Sequence, residues 1–140
     1  MPVVTLKFAD LQAGGPMIDV RVAPASDRVK PKRGAAMADG LPLAALIDTG
    51  ASVTVLKKGL PGFLGLKPTS NAFVHTASSS RVPCAEFAVS LILPHGVKVR
   101  TTVVELPMGT PGVDCLIGRD VLSQFVMTYV GPENQVILSL

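Results

Sequence analysis

The fold is decided by the stretch Leu46-Ile47-Asp48-Thr49-Gly50-Ala51-Ser52. Residues 42–47 are apolar and predict a strand that runs into the core and stops at Asp48. A carboxylate at the end of a buried strand costs free energy unless it is hydrogen-bonded or shares a proton. Gly50 permits a tight turn, and the small residues after it leave room for another molecule. The stretch therefore predicts a carboxylate that is held at a turn and can be reached from outside.

A second stretch, Cys115-Leu116-Ile117-Gly118-Arg119-Asp120, strengthens this interpretation. Alone, Asp-Thr-Gly is also compatible with an ordinary Asx turn. Gly118 follows Asp48 by 70 residues (118 − 48 = 70), and two apolar residues before a glycine predict a buried strand that passes close to another backbone. Arg119 begins the one segment predicted as helix, residues 119–124. We expect Arg119 to brace the Asp48 turn rather than to touch a substrate.

The remaining sequence predicts an all-β protein. The chain has 140 residues, 48% of them apolar, with 13 Gly and 12 Pro between short apolar runs. This size predicts one domain over residues 1–140. Residues 23–41 are polar, basic and rich in Pro and Gly, and we interpret them as one long surface loop. The predicted strands are residues 3–8, 17–22, 42–47, 53–56, 71–76, 81–93, 97–103, 115–117, 125–130 and 135–140, with a hairpin around 71–93.

Charge and composition exclude some classes of function. The net charge of +3 comes partly from residues 28–33, which we interpret as a solvated part of the loop. Nucleic-acid binding is not favoured, because the basic run lacks interleaved aromatic residues and the chain has no Trp and one Tyr. No apolar stretch reaches the roughly 20 residues of a membrane span, and residues 1–8 do not resemble a signal peptide. We therefore expect a soluble cytoplasmic protein.

Metal and nucleophile sites are not predicted either. Cys84 and Cys115 lack metal-ligand spacing and are expected to be reduced. His75 and His95 lack a carboxylate at ligand spacing, so no metal site is expected. An organic cofactor is not expected either. The serines of residues 78–80 lack the G-x-S-x-G elbow of a nucleophile and are interpreted as a polar hairpin tip.

The two stretches and the hairpin between them together resemble the retropepsin-like aspartic proteases. This family comprises single-domain relatives of pepsin, among them retroviral proteases and their cellular and bacterial counterparts. The resemblance covers residues 43–140, and residues 3–22 fit the leading strands of the family. It implies a closed, mostly β barrel that dimerises about a two-fold axis.

The resemblance also implies roles for individual residues. Asp48 matches the catalytic aspartate, and Thr49 and Gly50 match the loop that holds two such aspartates in register. Residues Leu116, Ile117 and Gly118 match the apolar loop threaded by the active-site turn. Residues 76–81 match the flap that closes over a substrate. The residues expected to contact an extended peptide are Ala51, Ser52, Thr76, Ala77, Ser78, Ser79 and Ser80.

The number of catalytic groups predicts a homodimer. Water activation by this chemistry needs two carboxylates, one acting as base and the other as acid. Two carboxylates about 3 Å apart cannot both ionise readily, so they share a proton. Asp-Thr-Gly occurs once in the chain, at residues 48–50. The second aspartate must come from another molecule, most simply through an isologous dimer.

Two departures from the family leave an alternative open. Retroviral flaps are usually rich in glycine, whereas residues 77–80 contain none. Retroviral members often have an acidic residue at the position of Ser52, so Arg119 is expected to bond to neutral groups or to Asp120. The favoured function is a homodimeric aspartic endopeptidase. The alternative is a retropepsin-like dimerisation or peptide-binding module with little or no turnover.

Overall fold

The computed structural model describes residues 3–25, 40–76, 78 and 80–140, and strands dominate this part of the chain. Three single-turn helices interrupt them: α1 (Leu11–Gly14), α2 (Leu60–Phe63) and α3 (Arg119–Leu122). The strands are β1 (Val3–Lys7), β2 (Met17–Pro24), β3 (Leu41–Ile47), β4 (Val55–Lys57), β5 (Ser70–Val74), β6 (Val82–Ile92), β7 (Lys98–Leu106), β8 (Cys115–Ile117), β9 (Val126–Val130) and β10 (Gln135–Ser139).

The central sheet closes into a barrel. Its strands follow the order β2-β3-β8-β4-β7-β6, and β6 pairs back with β2 to complete the ring. The last strand, β5, extends the sheet beyond β6 as the outer arm of a hairpin. Closure removes most of the exposed strand edges that an open sheet would have. The prediction of a closed, all-β barrel is confirmed.

The hairpin that the resemblance assigns as a flap is shorter than residues 71–93. β5 pairs with only the first half of β6, from Val74 against Val82 to Ser70 against Glu86. The second half of β6 belongs to the barrel, because it pairs with β2 on one side and β7 on the other. We therefore use the name flap for residues 70–86.

A second sheet covers one side of the barrel. β10 lies between β1 and β9 and is antiparallel to both. Val4 and Leu6 point inward with Val136 and Leu138, whereas Val3 is exposed. This strict alternation is what places one face of a strand in the core. The predicted closing hairpin is confirmed, and its side chains join the same core as those of the barrel.

Aliphatic side chains from alternate positions fill the core. In β6 these are Phe87, Val89 and Leu91, all of which are buried. Burying a side chain of this size contributes about 1.5–3 kcal/mol to stability. The barrel is therefore a packed support whose ends can carry a site.

Two of the helices were not predicted. The sequence predicted helix only over residues 119–124, whereas α1 and α2 also form and α3 ends at Leu122. In α1, Asp10 caps the turn by accepting a hydrogen bond from the Ala13 N–H at 3.1 Å, and Leu11 is buried. Such a turn is too short to show a helical period. A cap and one anchoring side chain suffice to form it.

The boundaries of the loop predicted over residues 23–41 need correction. β2 continues to Pro24, which is paired with Val89, and β3 begins at Leu41, which is paired with Val22. Pairing with β6, which closes the barrel, extends β2, and pairing with β2 extends β3; both partners are distant in sequence. Residues 26–39, including the basic run of residues 28–33, lie outside the described residues, as do Ala77 and Ser79.

Within the described residues, no helix is long and apolar enough to cross a membrane. The same part of the chain contains no group of three or more His, Cys, Asp or Glu side chains that could hold a metal ion.

The two free cysteines should differ in reactivity. Burial, together with the smaller effect of the charges of Asp114 and Asp120, raises the pKa of the Cys115 thiol to about 12. Burial and, secondarily, Glu86 raise the pKa of the half-buried Cys84. Because the thiolate is the nucleophile, a disulfide reagent at pH 8 should modify Cys84 slowly and Cys115 only after unfolding. The Cys84→Ser variant should show no reactive thiol while folded.

The stability that the Cys115 thiol contributes depends on pH. The folded state holds the Cys115 proton more tightly than the unfolded state, whose thiol has an ordinary pKa of 9.0. Stability from this group is thus complete below pH 9 and is lost as pH rises toward 12. Reaction of both thiols at the same rate in folded protein would contradict the predicted difference in reactivity between Cys84 and Cys115.

Candidate active site

The turn after β3 holds the Asp48 side chain mainly through the backbone. The Asp48 N–H donates to the Ile117 carbonyl at 2.9 Å, and the Ala51 N–H donates to the Asp48 carbonyl at 3.1 Å. The Gly50 N–H donates to the Asp48 Oδ1 at 2.9 Å. A Cβ at Gly50 would lie 3.1 Å from that same oxygen, so glycine keeps this contact uncrowded. One carboxylate oxygen is therefore fixed within the turn, and the half-buried side chain faces a cleft.

The turn is anchored because β8 lies between the strands on either side of it. β8 runs parallel to β3, with Ile117 beside Ile47, and antiparallel to β4, with Leu116 beside Val55. The next residue, Gly118, passes against the backbone of the turn. A Cβ added there would lie 2.5 Å from both the carbonyl carbon and the carbonyl oxygen of Val53. The close backbone approach expected from the sequence is present, and only glycine fits it.

A buried polar cluster joins the two segments. The Thr54 hydroxyl donates to Asp120 Oδ1 at 2.7 Å and accepts from the Gly118 N–H at 3.1 Å. The Thr54 N–H donates to Asp120 Oδ2 at 3.0 Å. Thr54 is fully buried, so these bonds are shielded from water. The sequence interpretation missed Thr54 as a positioning residue. The sequence feature that could have identified Thr54 is its hydroxyl within the apolar run of residues 53–56, because a buried hydroxyl requires a hydrogen-bond partner.

Arg119 contacts the turn from the cleft side. Its Nη1 donates to the Thr49 carbonyl at 2.7 Å, and its backbone N–H donates to the Ala51 carbonyl at 2.8 Å. Of the two partners expected, neutral groups or Asp120, the structure shows neutral groups. The Asp120 carboxylate is instead directed toward Thr54 and the N–H of the next residue.

The cleft beside Asp48 has a volume of about 590 Å³. Its walls are mainly apolar, and Asp48 is its one carboxylate among the described residues. Most lining residues come from the turn, from β8 and α3, and from the end of β5 in the flap. They are Asp48, Gly50, Ala51, Ser52, Val53, Val55, Val74, His75, Thr76, Leu106, Leu116 and Arg119.

The structure brings together only part of the predicted site. Ala51, Ser52 and Thr76 line the cleft with Asp48. Ser78 and Ser80 are exposed and do not line it. The predicted supporting residues outside the cleft wall contact the turn from behind or beside the cleft: Thr49, Ile117 and Gly118. The sequence interpretation did not identify the cleft residues Val53, Val55, Val74, His75 and Leu106, because their strand pattern gives no indication of which barrel end they occupy.

Another groove, of about 600 Å³, lies along β2 and β3 near Pro94. It contains Asp19 and Arg21, which alternate outward from the middle of β2. Neither lies on a turn that directs backbone donors at it. We therefore place the candidate chemistry at Asp48.

The flap contributes its β5 end to the cleft. Val74, His75 and Thr76 line the cleft, whereas Phe73 points away and is 62% exposed. The guanidinium carbon of Arg81 lies 4.8 Å from the centre of the Phe73 ring. A cation over an aromatic face is attracted to the ring, by about 0.5–1 kcal/mol at an exposed site. This contact links the two arms of the flap on its outer face.

A closed barrel with a carboxylate on a glycine turn, threaded by a second apolar segment, defines an aspartic-protease-type protein. Residues 35–124 match the sequence family described as "gag-polyprotein putative aspartyl protease". The chain belongs to this retropepsin-like family, as the sequence predicted. A search of curated proteins found no match.

Solved structures give the same fold. A retropepsin-like aspartic protease from Rickettsia conorii has a TM-score of 0.58 at 16% identity, over 98% of this chain and 91% of that one. The retroviral protease-like domain of Ddi1 from Leishmania major has a TM-score of 0.50 at 15% identity, over 88% and 92%. A foamy viral protease-reverse transcriptase, solved with an RNA/DNA hybrid, matches with a TM-score of 0.52 at 16% identity, over 82% of this chain and 13% of that one.

Replacement of Gly118 by alanine should destabilise the protein strongly. The added methyl group would overlap the Val53 backbone, which cannot move without displacing the turn, and overpacking of this kind costs about 1–3 kcal/mol or more. Gly62→Ala is the matched control, because nothing lies within 4 Å of its added Cβ. Urea unfolding measures both variants. Equal stability of the two would show that the backbone approach at Gly118 is not tight.

Replacement of Thr54 by valine should also destabilise the fold. It keeps the shape but leaves the Gly118 N–H and Asp120 Oδ1 without the hydroxyl, and an unsatisfied buried group costs about 1–3 kcal/mol. Thr54→Ser keeps the hydroxyl and should retain most of the stability. Thermal unfolding of the two variants provides the comparison. A valine variant as stable as the serine variant would remove Thr54 from the support of the turn.

Proposed function

We propose that this protein is an aspartic endopeptidase that works as a homodimer, with one Asp48 from each subunit. The observation that carries the proposal is the position of Asp48, which is half-buried on a cleft and held by backbone donors at a tight turn. The chain supplies this turn once. A second copy related by a two-fold axis would supply the other carboxylate.

The chemistry follows from a pair of carboxylates that share one proton. Together they hold a water molecule between them. The ionised carboxylate takes a proton from this water as its oxygen attacks the peptide carbonyl, and the protonated carboxylate donates to the forming tetrahedral species. A proton then passes to the departing amine, the carbon–nitrogen bond breaks, and an acid and an amine are released. The Gly50 N–H keeps each carboxylate in place during these transfers.

The cleft suits an extended peptide. Apolar side chains of Val53, Val74 and Leu116 offer surface for alternate substrate residues. The outer edge of β5 has no strand partner in the described part of the chain, so its backbone is available to a substrate strand. Recognition by added strand pairing gives affinity through the main chain and specificity through side-chain pockets.

Two features support association with a second copy. The Thr49 side chain is exposed at the tip of the turn, next to the Asp48 that needs a partner. In the three-stranded sheet β1-β10-β9, Val126 is 66% exposed and Tyr129 is 55% exposed, and the outer edge of β9 has no partner among the described strands. Exposed apolar side chains beside an unpaired edge favour association with another strand.

A peptidase-inactive binding module is the second candidate. It is favoured by the flap tip, which lacks glycine and therefore bends less readily than a glycine-rich tip. Slow flap closure would lower turnover without preventing binding. This candidate predicts saturable binding of peptides that are not cleaved.

Replacement of Asp48 by asparagine should abolish peptide cleavage. A peptide library incubated with protein from pH 3 to 8 should give products at acidic and mildly acidic pH, and loss of the acid–base group should lower the rate about 10³-fold or more. Asp19→Asn removes an exposed carboxylate of the same kind away from the cleft and should retain activity. Mass spectrometry of the products measures cleavage.

The same samples should sediment at about twice the chain mass of 14.5 kDa. Undiminished cleavage by the asparagine variant would refute the catalytic role of Asp48, and full activity at monomer mass would refute the shared site. Peptide binding by the unaltered protein without any cleavage product would favour the peptidase-inactive binding module.

A further inference from the structure

The wall of the cleft carries one cation of interest, Arg119. Arg119 is exposed on the cleft wall, and Nη1 is held by the Thr49 carbonyl at 2.7 Å. In the described part of the chain, no carboxylate forms an ion pair with Arg119, and no acceptor binds its other guanidinium N–H groups. The neighbouring Asp120 is committed to Thr54 on the buried side. Arg119 therefore presents a positive charge to the cleft.

The surroundings of Arg119 favour an anion from the substrate. Among the described residues, the other titratable groups that line the cleft are Asp48 and His75, and much of the rest of its surface is apolar. Ser52 is small and neutral, so it does not compete for the guanidinium. The hydrogen bond to the Thr49 carbonyl fixes the guanidinium group of Arg119, and a fixed guanidinium can pair with a carboxylate through two parallel hydrogen bonds.

We propose that Arg119 makes the cleft selective for peptides with an acidic side chain, Asp or Glu, near the bond to be cleaved. This inference rests on the proposed peptidase function and adds its substrate class. The recognised chemistry is a carboxylate. We assign it to a side chain, because a cleft that holds an extended chain beside Asp48 places Arg119 against residues within the peptide.

Matched peptide pairs provide the test. A peptide that the protein cleaves is made with Glu or Gln at each position around the scissile bond, and both ends are blocked so that the side chain is the only carboxylate. At pH 5.5 the Glu peptide should have a kcat/KM about tenfold above that of its Gln partner at one position. This ratio should fall toward one as pH drops below the ordinary Glu pKa of about 4.3.

Variants assign the preference to Arg119. In Arg119→Gln the Glu-to-Gln ratio should fall to about one, whatever the overall activity of the variant. Arg119→Lys keeps the charge and should give an intermediate ratio. Arg100→Gln removes an exposed arginine of β7 that does not line the cleft and should keep the full ratio, and so should His75→Gln. A preference that persists in Arg119→Gln, or disappears in His75→Gln, would overturn the proposal.

A second variant leaves Arg119 in place. Ser52→Asp supplies a carboxylate within the same cleft and should abolish the Glu preference by competition. If Arg119 pairs with an acid of the second subunit instead, Arg119→Gln should weaken the dimer in sedimentation while the ratio stays unchanged, and this result would also overturn the proposal.

Binding separates this proposal from the peptidase itself. Fluorescence anisotropy of labelled Glu and Gln peptides on the Asp48→Asn variant should show the same preference of about tenfold, since no turnover is required. A preference in binding without cleavage by the unaltered protein would refute the peptidase and retain the role of Arg119. Cleavage without any Glu preference would retain the peptidase and refute the role of Arg119.

Discussion

The position of Asp48 depends on the hydrogen bonds that join Thr54, Gly118 and Asp120. The Thr54 hydroxyl binds the Gly118 N–H and the Asp120 carboxylate at once, although Thr54 lies 64 and 66 residues away from them in sequence. β8 is thereby fixed between the two strands that flank the turn. The Ile117 carbonyl, which accepts from the Asp48 N–H, is fixed with it. A shielded network of this kind is rigid because each of its groups has a partner.

This arrangement holds the carboxylate with few side chains. The donor to Asp48 Oδ1 is a backbone N–H, and the groups that fix the turn are largely backbone carbonyls and amides. The walls of the cleft are therefore free to vary without loss of the turn. The same fold occurs in solved structures at only 15–16% identity, which agrees with a support whose requirements are mainly geometric. Gly118 illustrates such a requirement, since a Cβ would overlap the backbone of Val53.

The sequence predicted those features that depend on local pattern. The apolar runs identified β6 and β10 as strands, and the apolar run that ends at Asp48 placed the turn at the end of a strand. The strand extensions at Pro24 and Leu41 could not be predicted, because they depend on pairing with β6 and β2. α1 and α2 are single turns without a period. The partner of Arg119 follows from the folded turn, and the pairing of Thr54 with Asp120 requires the three-dimensional fold. The catalytic role of Asp48 and the homodimer remain predictions.

The floor and the lid of the cleft are stabilised by different kinds of interaction. Under Asp48, the supporting network is buried and hydrogen-bonded. Over Asp48, the flap rests on the β5–β6 pairing and on the exposed stacking of Arg81 against Phe73, which water and salt weaken. Both contacts lie within the flap, so they hold its two arms together more weakly than the buried network holds the turn. Under the proposed function, a peptide would enter and leave by movement of the flap, while the Asp48 carboxylate keeps its position.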